Sequence, residues 1–125
     1  MQVYFDGGAA PSNPGPMHVG LVVVGGDKHF QTLGHGTNNL AEWVALIWAM
    51  EMARAAGASE VELIGDSELI VKQANGLYRV KAAEFRPFKA EFDRLKDLFR
   101  RVEVRYVPRS RNLAGKHIEA MLKLR

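Results

Sequence analysis

The sequence predicts a mixed α/β fold, a five-stranded sheet built in the order βββαβααβα with helices on both faces. Three observations predict it. Apolar, β-prone stretches at 2–8, 19–24 and 30–33 follow one another through short loops, which makes an antiparallel meander. The hydrophobic period then changes, and Leu40 to Ala56 runs without proline or glycine as a helix. Glu60 to Gly65 is next a strand entered from a helix and left through another; that is a parallel crossover, which sets this strand beside the first.

Taken in order, the opening strand Gln2-Val3-Tyr4-Phe5 stops on Asp6-Gly7-Gly8. An acid therefore stands at a strand end, where glycines let the backbone turn and let a bulky ligand approach. Ala9 to Pro16 holds three prolines and a glycine and reads as a loop, and Gly25-Gly26-Asp27-Lys28 as the hairpin turn between the second and third strands. Thr37-Asn38-Asn39 supplies capping side chains for the long helix, and Gly57 ends it. Apolar residues fill nearly every position from Leu40 to Ala53, which places that helix between the sheet and a second helix. Glu42 is the sole charged residue from Asn39 to Met50; in the first turn, the helix dipole alone would account for it. Ser67 to Asn75 reads as a helix closed by Gly76, with Asp66 either its cap or a second acid at a strand end. Ala82 to Phe99 is amphipathic, with Phe85, Phe88, Phe92, Leu95 and Phe99 as its core stripe. Val102 to Val107 is the fifth strand and Asn112 to Leu124 the closing helix.

A chain of 125 residues, 47% of them hydrophobic, fits one domain over residues 1–125 with one core. No run approaches the roughly 18 apolar residues of a membrane span, and the N-terminus lacks a secretion signal, so the expectation is a cytoplasmic protein without membrane contact, monomeric by default. With no cysteine there is no disulfide and no thiolate ligand or nucleophile, which leaves carboxylates and histidines as metal ligands. The net charge of +3 is modest, but basic residues gather in Arg79, Lys81, Arg86 and Lys89 and again in Arg100, Arg101, Arg105, Arg109 and Arg111. Such clustering points to a polyanionic partner.

Asp6 and Asp66 at the ends of adjacent parallel strands, with Glu42 on a helix packed against that sheet, can converge on one point. Ligand sites of open α/β sheets lie outside strand carboxyl ends where strand order reverses, and the junction of the first and fourth strands is such a place. Three converging carboxylates need a cation. Oxygen ligands favour Mg²⁺ or Mn²⁺, ions that serve phosphoryl transfer.

Five segments carry these features in a fixed order: Asp6-Gly7-Gly8; Asn13-Pro14-Gly15-Pro16 with Gly20; Thr37-Asn38-Asn39-Leu40-Ala41-Glu42; Gly65-Asp66-Ser67 with Val71 and Gln73; and Val107-Pro108-Arg109 with Asn112. In these the chain resembles type 1 ribonuclease H along essentially its whole length. Asn75 to Lys81 running directly into one helix is similar to compact members without the family's basic protrusion. The resemblance implies the ribonuclease H-like sheet and hydrolysis of the RNA strand of an RNA–DNA hybrid by a metal-activated water, leaving 5′-phosphate and 3′-hydroxyl ends. It implies Asp6, Glu42 and Asp66 as the catalytic, metal-binding carboxylates, with Gly7, Asn13, Asn38, Asn39 and Gln73 along the substrate groove. An amide can donate to and accept from the 2′-hydroxyl that tells RNA from DNA. Asn39 is alternatively the helix cap. Arg79 and Lys81 match positions that hold the DNA strand's phosphates, with a solvated basic loop as the other reading.

One position departs from the family. Relatives carry a fourth metal-binding aspartate in the last loop, and ungapped its place is taken by Lys116. An ammonium there opposes a second metal. Glu119, one helical turn on, is a possible substitute ligand, with a solvated surface glutamate as its plainer role. Three functions follow as expectations: a hybrid-specific endoribonuclease; a weak or silent nucleic-acid-binding module; or another nuclease on the same sheet, such as an exonuclease or a junction resolvase, against which the Asn38-Asn39 pair argues.

Overall fold

The computed structural model describes residues 1–124. Its strands are β1 (Gln2–Ala9), β2 (Gly15–Val23), β3 (Lys28–Gly36), β4 (Glu60–Gly65) and β5 (Arg101–Tyr106), and its helices are α1 (Asn38–Ala55), α2 (Glu68–Ala74), α3 (Arg86–Lys96) and α4 (Leu113–Lys123). One sheet holds all five strands in the order β3-β2-β1-β4-β5. The meander is antiparallel, and β4 joins β1 and β5 in parallel. The expected crossover is therefore present, with the reversal of strand order beside β1.

Side chains alternate across a strand, so the two faces of β1 and β2 carry different helices. A Cβ on Gly7 would lie 2.2 Å from the backbone oxygen of Ala41, which seats α1 against one face. Gly20, paired with Asp6 across the β1–β2 ladder, faces the other way, and a Cβ there would meet Ile118 of α4 at 2.7 Å. The main core lies on the α1 side, where Val3, Phe5, Leu21 and Leu63 of the sheet meet Trp43, Leu46 and Met50 of α1 with no exposure. Helices α2 and α3 also pack against α1, which adds to the apolar surface that helix buries. Burying a Phe or Leu side chain is worth about 1.5–3 kcal/mol. A few such residues therefore carry the cost of the polar groups buried at the sheet's edge.

Several boundaries differ from those expected. Strand β3 extends well beyond 30–33, because ladder bonds to β2 recruit its polar ends. Helix α1 begins at Asn38, with Thr37 as its N-cap accepting from the Leu40 N–H at 3.2 Å; Asn39 is thus not the cap. The stretch Ala82 to Phe99 is not one helix but a 3₁₀ turn (Ala83–Phe85) followed by α3, with Pro87 in the first turn of α3. Proline lacks an N–H and crowds the preceding turn, so a helix starts at it and does not run through it. The aromatic stripe is nevertheless core, with Phe85, Phe92, Leu95 and Phe99 buried. Among the described residues no helix is long and apolar enough to cross a membrane.

Candidate active site

Asp6, Glu42 and Asp66 come together at the carboxyl end of β4, but Asp6 is not at a strand end: β1 runs on through Gly7 and Gly8 to Ala9, because its antiparallel ladder with β2 outlasts the parallel one with β4. Each offers a carboxylate oxygen, and these atoms lie within 4.8 Å of one another; among the described residues they are the one group of metal-ligating side chains so close. Asp6 and Glu42 are each 5% exposed. Because α1 starts two residues earlier than expected, Glu42 stands in its second turn, where the helix terminus no longer accounts for it. Its carboxylate accepts from the Gly7 N–H, so β1 just beyond Asp6 and the helix are locked together. Asp66 is not the cap of α2 either; Ser67 is, accepting from the Ile70 N–H at 3.3 Å. Asp66 accepts instead from Asn112, whose Nδ2 lies 3.1 Å from it and 3.0 Å from the Phe5 carbonyl oxygen. Asn112 has no exposure, and its Oδ1 caps α4 by accepting from the Ala114 N–H at 3.0 Å.

Crowding acids into a dry site resists their ionisation. Burial, then the charge of Asp66, push the Asp6 carboxyl from 3.8 to about 6, against the hydrogen bond from Glu42, the Arg109 charge and the Gly7 N–H. Burial, then the charges of Asp6 and Asp66, hold Glu42 well above the usual carboxylate range. The donor set is oxygen only, and the unrelieved repulsion within it is what a divalent cation offsets, so these residues fit a hard ion.

The acids open into a cleft of about 410 Å³ that Gly7, Asn38, Asn39, Arg109 and Glu119 also line. Asn13 lies beside it, its Oδ1 accepting from the Asn38 N–H at 3.0 Å, while Asn38 Oδ1 accepts from the Ala9 N–H at 2.7 Å. One lone pair of each amide oxygen is thus engaged, which turns the Nδ2 donors toward a ligand. Other expected groove residues are not in this cleft. Gln73 is buried, its Nε2 3.5 Å from the Arg79 carbonyl oxygen, so it braces the 77–81 segment. Arg79 lines a separate cleft with Tyr78, Arg86 and Lys89. Lys81 lines neither, and its carbonyl accepts from Arg86 at 3.2 Å.

At the position that departs from the family, Lys116 is exposed and outside the cleft lining, whereas Glu119 is exposed and within it. The preceding Gly115 comes so close to the acids that a Cβ would stand 3.2 Å from Asp6 Oδ2. Asn112 and Arg109 appeared in the sequence as motif members without an assigned task. The cap signal of Asn112 was readable; its bond to an acid 46 residues away was not.

Residues 16–117 match the family model described as reverse transcriptase-like. The crystal structure of RNase H1 from the halophilic archaeon Halobacterium salinarum superposes with a TM-score of 0.87 at 36% identity, over 98% of this chain and 97% of that one. The chain belongs to the type 1 ribonuclease H family. A curated ribonuclease H relative, ribonuclease HI of Halobacterium salinarum, is 38% identical over 117 residues, which are 90% of this chain and 58% of that protein. The chain thus spans little more than half the length of that relative. A second ribonuclease H structure, LC11-RNase H1 in complex with an RNA/DNA hybrid, superposes with a TM-score of 0.77 at 33% identity, over 97% of this chain and 98% of that one.

Proposed function

We propose that this chain is a metal-dependent endoribonuclease that hydrolyses the RNA strand of RNA–DNA hybrids, acting as a monomer in the cytoplasm and leaving 5′-phosphate and 3′-hydroxyl ends. The observation that carries the reading is the convergence of Asp6, Glu42 and Asp66 within 4.8 Å at one sheet edge. Support comes from LC11-RNase H1, which was solved in complex with an RNA/DNA hybrid. Asp6, Glu42 and Asp66 would hold Mg²⁺ or Mn²⁺, and an ion there would supply Lewis acidity toward a phosphodiester and its attacking water. A bound cation would favour the ionised forms of Glu42 and Asp6, which burial and mutual repulsion oppose. Asn112 keeps the Asp66 carboxylate in place, and Arg109 adds a cation to the cleft that receives the phosphate. The Nδ2 donors of Asn13 and Asn38 meet sugar hydroxyls and minor-groove base acceptors, which occur on every base pair and so give no sequence preference. Arg79 and Lys81 hold backbone phosphates from outside the cleft.

A weaker enzyme, or a silent binder, is the second reading, favoured by Lys116 in place of a fourth acid. Glu119 lines the cleft where Lys116 does not, and we take it as the residue that supplies the fourth carboxylate. Cleavage of labelled RNA–DNA hybrid, RNA duplex and DNA duplex, each with Mg²⁺ and with Mn²⁺, separates the readings. The expected outcome is cleavage of the hybrid alone, lost in Asp66→Asn and lowered about tenfold or more in Glu119→Gln. Tight hybrid binding with no cleavage under either ion establishes the silent module. A rate rescued only by Lys116→Asp shows that Glu119 does not serve.

A further inference from the structure

A buried histidine holds the loop between β1 and β2 to the sheet. His18 on β2 is 5% exposed; its Nδ1 lies 3.0 Å from Thr32 Oγ1 on β3, and its Nε2 lies 3.2 Å from the carbonyl oxygen of Ala10. A carbonyl can only accept, so Nε2 carries a hydrogen and donates to it. The ring stacks on Phe30, with centroids 6.1 Å apart and planes 8° from parallel. Residues 11–14 of the loop are all exposed, so apolar burial does little to hold them. Hydrogen bonds do it. The Ala10 N–H donates to the Pro16 carbonyl at 3.0 Å and closes the loop; Asn13 Oδ1 takes the Asn38 N–H at 3.0 Å and ties the loop to the start of α1.

We propose that His18 is a positioning residue for substrate: by fixing the Ala10 carbonyl it sets the loop that carries Asn13, and so aims the Asn13 and Asn38 amides. The inference rests on the reading of those amides as hybrid contacts. Without the anchor the loop samples other arrangements, and apparent affinity falls by the fraction of molecules that remain competent. The carboxylates, on β1, α1 and β4, are left as they were.

The test compares native protein with His18→Phe, which retains an aromatic ring for Phe30 and removes both ring hydrogen bonds, with His18→Gln, which retains a donor, with Asn13→Ala and with the His18→Phe/Asn13→Ala double variant. Steady-state cleavage of RNA–DNA hybrid and calorimetric titration with Mn²⁺ are the readouts. The expected result for His18→Phe is a KM raised about tenfold, a kcat changed less than about threefold and an unaltered Mn²⁺ affinity. His18→Gln recovers part of the loss, and adding His18→Phe to Asn13→Ala costs less than it does in the native protein. An unchanged KM in His18→Phe, while Asn13→Ala raises it, overturns the anchor alone. Matched losses of kcat and Mn²⁺ affinity also overturn it, because they report collapse of the acid site. An unchanged KM in Asn13→Ala overturns the groove reading itself and the role drawn from it for His18. Should His18→Phe not fold, His18→Leu is read in the same way.

Discussion

Asp6 is the residue in which stability and function oppose each other most directly. Its carboxyl is raised from 3.8 to about 6 by burial and by Asp66. A carboxyl raised in the folded state binds more protons there than in the unfolded chain, so the metal-free fold loses stability as pH climbs from about 4 to about 6. Glu42 shifts in the same direction and adds to the loss. Asp6 alone accounts for about 3 kcal/mol, taking 1.36 kcal/mol per unit. Asp6→Asn carries no charge at any pH, and its metal-free melting temperature is expected to fall several degrees less than the native value between pH 4 and pH 7. The same variant is expected to lose Mn²⁺ binding in a calorimetric titration. Identical pH slopes in the two proteins would show that Asp6 is not the strained group.

At the scale of elements, the site depends on how closely α1 and α4 approach the two faces of β1 and β2. Gly7→Ala places a methyl 2.2 Å from the Ala41 oxygen, a backbone contact that cannot rotate away. The variant is expected to lose about 3 kcal/mol or more, read as a lower urea midpoint, and to lose activity with it because α1 carries Glu42. A native midpoint would mean that α1 can slide along the sheet. These packing relations decide what was legible in the sequence. Asp66 just past a strand end was readable, since an apolar run stopping on an acid is a local pattern; the same pattern misplaced the end of β1, because pairing with β2 carries that strand past Asp6 to Ala9. Glu42 was readable as an anomaly in an apolar helix, although its turn was misplaced because the helix starts at Asn38. The break at Pro87 was also local, but the three-and-four spacing of the aromatic stripe survives it and conceals it. The directions of Lys116 and Glu119 were out of reach, because they follow from the rotation of α4, which Gly20 and Gly115 set through contacts far apart in the chain.

For the whole molecule, the proposed function implies that the charge pattern separates holding a duplex from choosing one. The net charge is +3, and Arg79, Arg86 and Lys89 share a cleft distinct from the acids. Phosphate contacts release counterions and set the salt dependence, whereas the asparagine amides do not. Arg79→Ala is therefore expected to weaken hybrid and DNA duplex alike and to reduce the slope of log affinity against log salt by about 1. Asn38→Ala is expected to weaken the hybrid selectively at unchanged slope. Anisotropy titrations at several salt concentrations check both, and equal slopes for native protein and Arg79→Ala would remove that residue from the phosphate track. Asn112 adds a dimension of time. The three acids are all present once synthesis has passed residue 66, but the amide that ties Asp66 to the Phe5 carbonyl of β1 arrives 46 residues later. On the ribosome, the 46 residues made after Asp66 are therefore added while the acids are already present and the brace that aligns them is still missing.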